Sequence, residues 1–346
     1  MDNQKPTVVA ESTSSIRVDR RDYRSTLDAA TQAVLKPFAS LILKPPQTTY
    51  SGSPRLTPHK TAEKTCRIEE TSVEDIWIYT LLPLDSGGEK RRTGIPHKLY
   101  YFAGGGFRGP ANKEHWALCS EICSKLPQYE INLVSYPLVP ESPASTTIPH
   151  LENVYRNLAQ QSQEQNFRIT FMGDSAGGNV ALVLGIYAAS EYLRGATDGT
   201  QGSICPVENI FAICPATDLR NSNPEIDAID KKDSLLSRKA IEEVAEGWIG
   251  EWSFSDPRVS PVLADLELLK RANIKVDGII AGYDVLAPDA AVFRKKLDDC
   301  GVDGDWLEWE KQMHCFPLMF PYHVREGVDA KDWIIDILRS NIQDEK

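Results

Sequence analysis

The sequence predicts an α/β fold with a mostly parallel sheet and helices on both faces of the sheet. From about residue 100 to 315, short apolar runs rich in β-branched and aromatic residues alternate with segments in which apolar residues recur at helical spacing. This alternation is typical of βαβ units, whose strands run parallel because a helix returns the chain to the same end of the sheet. The chain has 346 residues, of which 41% are hydrophobic, so a substantial core can be buried.

The predicted strands of this sheet lie at residues 98–102, 131–135, 169–172, 210–213, 276–281 and 305–309. Helices are predicted between them, for example over residues 151–161 and 179–193. Ahead of this alternation, residues 64–70 and 75–82 are predicted to pair in antiparallel fashion at one edge of the sheet, because the second segment alternates in the manner of a strand.

Two regions lie outside the alternation, and we expect them to form a helical cap within a single domain that spans residues 1–346. Residues 16–44 carry apolar positions at helical spacing, with Pro37 expected to kink or split the helix. These positions are Leu27, Ala30, Val34, Phe38 and Leu41. Residues 220–256 open with polar turn residues and continue as a helical pattern. The cap, built from about residues 1–60 and 220–256, is expected to cover the carboxyl ends of the strands, where ligands bind in such sheets.

Charge and composition exclude several classes of function. The formal net charge of −11 provides no basic surface for nucleic acid or for anionic membranes. The first residues lack a basic stretch followed by an apolar run, and no run of about 18 apolar residues predicts a membrane span.

The cysteines favour a reducing compartment. They are seven in number and scattered, so we expect no disulfide framework and a cytoplasmic location. Cys119 and Cys123 lie four residues apart, but no second pair supports a metal site, so they are expected to be buried small side chains. We expect neither a cofactor nor a bound metal.

A Gly-x-Ser-x-Gly segment at residues 173–177 marks Ser175 as the candidate nucleophile. A predicted strand ends directly before this segment and a predicted helix follows it, which is the setting of a nucleophile elbow. The flanking glycines allow strand and helix to come close, and the helix N-terminus favours developing negative charge. Asp174 is expected to make local hydrogen bonds. A plain glycine-rich turn is the alternative interpretation of the pattern.

Three consecutive glycines follow another predicted strand, in the segment Ala103-Gly104-Gly105-Gly106-Phe107, which we call the glycine loop. Because glycine has no side chain, the backbone N–H groups of such a loop can approach a reacting carbonyl oxygen. A phosphate-binding loop is disfavoured, since the loop has neither Gly-Lys-Ser/Thr nor Gly-x-Gly-x-x-Gly. A flexible surface loop is the remaining alternative.

The serine segment and the glycine loop resemble motifs of the hormone-sensitive-lipase-like family of esterases. Residues 173–179 match that family's nucleophile segment. Residues 136–141 resemble its Tyr-Arg-Leu-Ala-Pro-Glu segment, with Pro137 in place of arginine, and residues 256–261 resemble its Asp-Pro-x-x-Ser-Pro segment. The similarity runs in the same order from about residue 98 to 320. It implies the α/β-hydrolase fold and a carboxylesterase activity.

The resemblance also implies an oxyanion hole formed by the backbone N–H groups of Gly105, Gly106 and Ala176. The glycine loop departs from the family's His-Gly-Gly-Gly motif, because Ala103 stands where the motif has histidine. Backbone donors survive this change, but a side chain that helps to hold the loop is lost. We therefore expect the loop either to be more mobile or to be fixed by another contact.

The order expected for this fold is serine, then an acid, then histidine. His314 follows the last predicted strand, where the family has His-Gly-Phe and this chain has Cys315 in place of the glycine; His323 is the alternative base. Asp284 follows the preceding strand in a segment similar to the family's Gly-x-x-Asp-x-Leu, and it is predicted to orient the imidazole. Asp289 is the alternative acid, although capping of the next helix is the role we expect for it.

These residues predict a serine hydrolase that cleaves a carboxylic ester of a hydrophobic small molecule through an acyl-enzyme on Ser175. Phe107, Trp248 and Trp252 are expected to give the substrate pocket an apolar surface, with packing inside the cap as the alternative. The same triad could serve an acyltransferase, a cyclase or an amidase, and a non-catalytic receptor is disfavoured because all three triad residues are present. The expected partners are a small-molecule ester or acyl substrate and, in a homodimer, a second copy of the chain.

Overall fold

The computed structural model of the protein describes residues 14–39, 48–84, 96–197, 199 and 204–343. Nine strands form one sheet in the order β1-β9-β8-β7-β6-β4-β5-β3-β2. The strands are β1 (Ile16–Arg21), β2 (Cys66–Val73), β3 (Ile76–Pro83), β4 (His97–Phe102), β5 (Tyr129–Ser135), β6 (Arg168–Asp174), β7 (Val207–Ile213), β8 (Lys275–Ala281) and β9 (Gly304–Trp309).

Strand β3 pairs in antiparallel fashion with β2 and with β5, and all other paired strands of the described sheet run parallel. The predicted α/β class with a mostly parallel sheet is therefore confirmed. The antiparallel pair predicted ahead of the alternation is also present, and β2 forms one edge of the sheet.

Helices connect the parallel strands and cover the sheet. The described helices are α1 (Thr26–Leu35), α2 (Lys60–Glu63), α3 (Lys113–Lys125), α4 (Ala144–Gln165), α5 (Ala176–Thr197), α6 (Ile226–Asp230), α7 (Arg238–Ile249), α8 (Glu267–Arg271), α9 (Ala287–Asp299) and α10 (Arg325–Gln343). Short 3-10 turns occur at Lys36–Phe38, Pro261–Leu263 and Phe316–Tyr322. No helix in the described ranges is long and apolar enough to cross a membrane.

Successive residues of the central strands contribute to two different hydrophobic clusters, as expected for a sheet covered on both faces. On β4, Tyr100 and Phe102 belong to the cluster that contains buried side chains of α4 and α5. Leu99 and Tyr101 belong to the other cluster, which contains buried side chains of α3 and α10. This packing fixes the parallel strands so that their carboxyl ends meet at one edge.

The N-terminal region differs from the prediction that it belongs to the cap. Ile16–Arg21 forms β1, which pairs in parallel with β9 and so extends the sheet. Arg17 forms an ion pair with Asp305 and Arg20 forms one with Glu308, and both partners lie on β9. These cross-strand pairs favour an edge strand, because the charged side chains remain at the surface.

Helix α1 ends at Leu35 and is followed by the 3-10 turn, so the helix changes its geometry at the expected position near Pro37. The predicted apolar face of this region is only partly buried. Leu27, Val34 and Phe38 are more than half exposed. Leu41, the last position of the predicted stripe, lies outside the described residues.

Candidate active site

Ser175 lies in a sharp turn between β6 and α5. Its backbone adopts φ +54°, a left-handed conformation that is uncommon for a residue with a side chain. Its N–H donates to the carbonyl of Ile213 at 2.8 Å, and its carbonyl accepts from the N–H of Asn179 at 3.1 Å. A Cβ on Gly177 would overlap the carbonyl of Phe102 on the adjacent strand. Glycine is therefore required there if the helix is to approach the sheet closely enough to hold this turn.

The structure brings the predicted nucleophile, base and acid together. The Nε2 atom of His314 lies 2.8 Å from Oγ of Ser175. The Nδ1 atom of the same ring lies 2.7 Å from Oδ2 of Asp284. Asp284 follows β8 and His314 follows β9, so the two residues reach Ser175 from neighbouring strand ends. This arrangement lets His314 take the serine proton while Asp284 fixes the tautomer of the ring.

The two alternative residues lie elsewhere. His323 is exposed and ends the 3-10 turn that follows His314. Asp289 lies in the first turn of α9, whose N-cap is Leu286, so the expected capping role is wrong because the helix begins earlier than the sequence suggested. Burial is the largest influence on Asp289 and raises the pKa of its carboxyl to about 6.

The surroundings of His314 favour its charged form. Burial opposes a charge on the imidazole, but the adjacent carboxylate of Asp284 outweighs this effect and raises the pKa of His314 above its ordinary value of 6.5. The second carboxylate oxygen of Asp284 accepts a hydrogen bond from the N–H of Leu286 at 2.9 Å. The acid is thus held from two sides while it stabilises the imidazolium.

Asp233 supports the acid and was missed by sequence reasoning. Its Oδ2 accepts from the N–H of Val285, the residue after the acid, at 2.9 Å, and its Oδ1 accepts from the N–H groups of Leu235 and Leu236. Burial, together with the charge of Asp284, raises the pKa of Asp233 to about 6. The sequence shows an aspartate that begins a turn, but it carries no signal that the other oxygen reaches a residue 52 positions away.

The backbone of the glycine loop requires its glycines. Gly105 adopts φ +129° and Gly106 adopts φ +60°, conformations that residues with side chains rarely adopt. The carbonyl of Gly105 accepts from the N–H groups of Arg108 and Gly109, which closes the loop into a tight turn. No acceptor in the described part of the chain takes the N–H of Gly105 or Gly106. Ala176 begins α5, so its N–H is among those without a partner inside the helix.

Asp174 fixes the glycine loop, although Ala103 stands in place of the histidine that would help to hold it. Its Oδ1 accepts from the hydroxyl of Tyr101 at 2.7 Å and from the N–H of Gly104 at 2.9 Å. Nε2 of His115 lies 3.2 Å from the same oxygen and 3.3 Å from Oδ2. The hydroxyl of Tyr136 also donates to the carbonyl of Ala103 at 2.8 Å. The loop is therefore held by other contacts in the absence of a histidine at position 103.

The proton on His115 can be assigned from its partners. The Nδ1 atom of His115 accepts from the backbone N–H of Asn112 at 3.0 Å, so Nε2 carries the proton that is donated to Asp174. Burial alone would raise the pKa of Asp174, but His115 and the hydrogen bonds from Tyr101 and Gly104 keep it below its usual value. Asp174 is therefore an ionised, fully buried anchor. Sequence reasoning expected local hydrogen bonds here and missed His115, which shows only the pattern of a helix start.

Two of the aromatic residues predicted to line the pocket pack inside the protein instead, which is the alternative that the sequence left open. Phe107 and Trp248 stack on each other, with ring centroids 4.0 Å apart and planes within 5°, and both have 0% exposure. They therefore form an internal contact between the glycine loop and the cap, because stacking removes the faces of both apolar rings from solvent. Trp252 is half-buried, and the guanidinium of Arg258 lies 3.8 Å from the centre of its ring.

Residues 220–256, which we call the cap segment, lie against the glycine loop through α7. A Cβ on Gly106 would lie 3.1 Å from a methyl group of Val244. Phe107 stacks on Trp248, and Arg108 donates to the carbonyl of Glu243. Three consecutive residues after Gly105 thus each contact the same short helix. Val244 was not predicted, since a single valine on an amphipathic helix is typical of ordinary packing.

Known proteins share this fold. A model of the α/β-hydrolase fold matches residues 99–318. An esterase of the bacterial hormone-sensitive lipase family has a TM-score of 0.70 and 18% identity, covering 92% of this chain and 99% of that one. A hormone-sensitive lipase from a metagenome library has a TM-score of 0.69 and 19% identity, covering 91% and 98%. Carboxyl esterase 2 from the mycorrhizal fungus Tuber melanosporum has a TM-score of 0.66 and 17% identity, covering 85% and 91%.

No curated protein matches the chain at a significant level. The family model nevertheless spans the glycine loop, the serine turn and both remaining triad positions. The sheet order and the strand ends that carry these residues agree with that match. The chain belongs to the α/β-hydrolase fold family.

Proposed function

We propose that this protein is a serine esterase that hydrolyses a carboxylic ester of a hydrophobic small molecule through an acyl-enzyme on Ser175. The observation that carries the proposal is the continuous hydrogen-bonded chain from Ser175 through His314 to Asp284, with contacts of 2.8 and 2.7 Å. Separations of this size allow proton transfer without rearrangement. Ser175 is partly exposed, so a substrate can reach it.

In the first half of the reaction, Nε2 of His314 accepts the proton of Ser175 as Oγ attacks the ester carbonyl. The negative charge that develops on the carbonyl oxygen is stabilised by the N–H groups of Gly105, Gly106 and Ala176. Asp284 stabilises the imidazolium that forms. His314 then gives its proton to the leaving alkoxide, so an alcohol departs and the acyl group remains on Ser175.

In the second half, water takes the place of the alcohol. His314 accepts a proton from this water, and the resulting hydroxide attacks the acyl carbonyl. The same three N–H groups hold the second oxyanion. The bond between Oγ of Ser175 and the carbonyl carbon breaks, the imidazolium returns its proton to Oγ, and a carboxylic acid leaves.

An apolar substrate is favoured by what lies beside the glycine loop. The methyl groups of Val244 lie beside Gly106, and the side chain of Val244 is partly exposed. A valine side chain offers neither a charge nor a hydrogen-bonding group to a polar substituent. A hydrophobic acyl or alcohol group replaces water on such a surface favourably, at about 25 cal/mol for each Å² of apolar area that is buried.

The test combines covalent labelling with turnover. Wild type, Ser175→Ala and the control Ser124→Ala are treated with a fluorophosphonate probe and with p-nitrophenyl esters of increasing acyl length. Ser124 lies on α3, where its hydroxyl donates to a backbone carbonyl of the same helix. We expect wild type and Ser124→Ala to be labelled and active. Ser175→Ala should lose labelling and about six orders of magnitude in kcat, as expected when a triad serine is removed.

The outcomes separate the possible reactions. A wild-type protein that is neither labelled nor active would contradict the hydrolase assignment. Labelling at Ser175 without hydrolysis of any of these esters would make transfer of the acyl group to a nucleophile other than water, as in an acyltransferase or a cyclase, the leading interpretation. Activity that rises with acyl length supports a hydrophobic substrate, whereas a strict preference for acetyl esters would contradict it.

A further inference from the structure

Two cysteine side chains lie beside the catalytic histidine. Cys315 directly follows His314, and Cys214 directly follows β7. The two sulfur atoms and a ring nitrogen of His314 all lie within 4.8 Å of one another. Nδ1 of the ring is occupied by Asp284, so Nε2, which lies 3.4 Å from Sγ of Cys315, is the nitrogen that faces the sulfur atoms. In the described part of the chain, no other group of three histidine, cysteine or carboxylate side chains is arranged so closely.

Both cysteines have an unusual backbone conformation. Cys214 adopts φ +45° and Cys315 adopts φ +51°, so each lies in the left-handed region that favours glycine. The N–H of Cys214 donates to the carbonyl of Ile279 at 2.8 Å, which fixes the end of β7. The left-handed backbone at position 315 accepts glycine more readily than any residue with a side chain, so the backbone there does not itself call for a cysteine.

Two thiolates and one imidazole are a donor set that a soft divalent metal prefers. Zn²⁺ binds sulfur at about 2.3 Å and imidazole nitrogen at about 2.0 Å, so the donors of a tetrahedral site lie roughly 3.4 to 3.8 Å apart. The observed separations need only a small contraction. The bond from His314 to Asp284 also matches the carboxylate–histidine arrangement that orients metal-bound imidazoles.

The charges around this group favour a cation. Asp284 lies on one side of His314, and Oδ2 of Asp174 lies 3.7 Å from Sγ of Cys315. In the described ranges, neither carboxylate forms an ion pair with a lysine or arginine. Access is also available, since Ser175 and Cys315 are both partly exposed.

We propose that Cys214, Cys315 and Nε2 of His314 form a binding site for Zn²⁺ that reversibly switches off the triad. As the metal binds, each thiol loses its proton to the buffer, and so does Nε2 of His314 where the ring is protonated. The two thiolates balance the charge of the ion. The fourth position is taken by water. His314 then coordinates zinc through the atom that must accept the proton of Ser175, so the serine loses its base. The binding step is independent of the proposed esterase activity, and the inhibition rests on it.

Without metal, the cysteines leave the triad undisturbed. Oγ of Ser175 lies 2.8 Å from Nε2 of His314, whereas Sγ of Cys315 lies 3.4 Å from the same atom, so the serine is the nearer partner of the base. A neutral thiol is a poor nucleophile and a weak hydrogen-bond partner, and it does not compete with Ser175 for the base. Metal-free protein is therefore the active form.

Binding is measured first in Ser175→Ala, so that the result does not depend on catalysis. Co²⁺ is titrated under tris(carboxyethyl)phosphine, and the thiolate-to-cobalt charge-transfer absorption is recorded and then displaced with Zn²⁺. We expect one equivalent to bind. Adding Cys214→Ala or Cys315→Gly should weaken binding at least about 100-fold, because even loss of an outer hydrogen-bonding partner costs about 10- to 100-fold. Adding Cys66→Ala, which alters a buried thiol remote from the triad, should change nothing.

Inhibition is measured in proteins that keep Ser175. We expect Zn²⁺ to inhibit wild type and Cys66→Ala, with recovery on EDTA, and Cys214→Ala and Cys315→Gly to keep their activity in zinc. Cys315→Gly suits the left-handed backbone, and circular dichroism checks the fold of each variant; Cys214→Ser and Cys315→Ser replace any variant that is misfolded. The proposal is overturned if no thiolate band forms, or if zinc inhibits the cysteine variants as strongly as wild type. It is also overturned if only an oxidant inhibits, with loss of the two thiols, since that result identifies a disulfide.

Discussion

Replacement of Asp174 by asparagine tests whether the buried carboxylate holds the glycine loop in its working position. Asparagine keeps one oxygen, which can still accept from Tyr101 and Gly104. Its NH₂ group would face the Nε2–H of His115, so two donors would meet where a donor and an acceptor now meet. The ring cannot easily change tautomer, because its Nδ1 already accepts from the backbone of Asn112.

The cost in stability can be worked from these contacts. A hydrogen bond to a charged group contributes about 1.5–3 kcal/mol, and loss of the charge roughly halves the strength of those that remain. Loss of the bond from His115 and weakening of two others therefore cost about 4 kcal/mol in total. Relief from burying an ionised carboxylate offsets about half of this, so we expect Asp174→Asn to lower the free energy of unfolding by about 2 kcal/mol. A protein of typical stability remains folded after such a loss.

The effect on catalysis should exceed the effect on stability. If Gly104 is no longer anchored, Gly105 and Gly106 lose their alignment, and loss of one oxyanion donor typically lowers kcat by about 100- to 1000-fold. Urea unfolding followed by circular dichroism gives the stability, and steady-state kinetics on a p-nitrophenyl ester give kcat and KM. Asp277→Asn is the matched control, because Asp277 is also fully buried and hydrogen-bonded. It lies near the N-terminal end of β8, whereas the triad lies beyond the carboxyl ends of the strands. The reasoning is refuted if Asp174→Asn keeps kcat within twofold, or if Asp277→Asn lowers it equally.

Further expectations concern the triad and the packing around it. Because neutral His314 is the base and Asp284 raises its pKa above 6.5, kcat/KM should fall as the pH decreases through a pKa higher than 6.5; a pH profile that is flat from 5 to 9 would contradict this. Asp284→Asn should lower kcat by about 10⁴ with little change in KM, because the imidazole would lose its oriented tautomer, and a loss below tenfold would argue against this role. Trp248→Ala removes the ring stacked on Phe107 and should cost about 3–5 kcal/mol in urea unfolding; a cost below 1 kcal/mol would show that the stack is dispensable. Gly177→Ala should give no soluble folded protein, since its Cβ overlaps a backbone carbonyl of the adjacent strand, and a native near-UV spectrum would exclude that clash.

Much of the candidate active site could be predicted from local sequence patterns. Ser175 could be predicted because a nucleophile elbow is a contiguous strand, turn and helix, and each part has its own pattern. Asp284 and His314 could be predicted because each follows a strand of a parallel sheet, so their places in the chain order also place them at one edge of that sheet. The structure brings all three within hydrogen-bonding distance.

The features that could not be predicted depend on contacts with residues far away in the chain. β1 has too few apolar residues to be recognised alone, and it becomes a strand through its parallel pairing with β9, where Ile16 is buried. The sequence around Phe107 and Trp248 does not distinguish a pocket surface from internal packing, since an aromatic residue has the same pattern whether it faces a ligand or another ring. His115 has no local signal for its contact with Asp174, which lies 59 residues away.

The contacts between the glycine loop and α7 couple access to catalytic competence. Gly106, Phe107 and Arg108 each contact the helix, so lifting the cap segment would remove contacts from the loop that is proposed to stabilise the oxyanion. A bulky ester that enters only by displacing α7 would be bound to an enzyme whose oxyanion hole is disassembled. Discrimination by size should then occur mainly in kcat rather than in KM. The oversized substrate still binds, but its binding displaces the N–H groups that would stabilise the transition state.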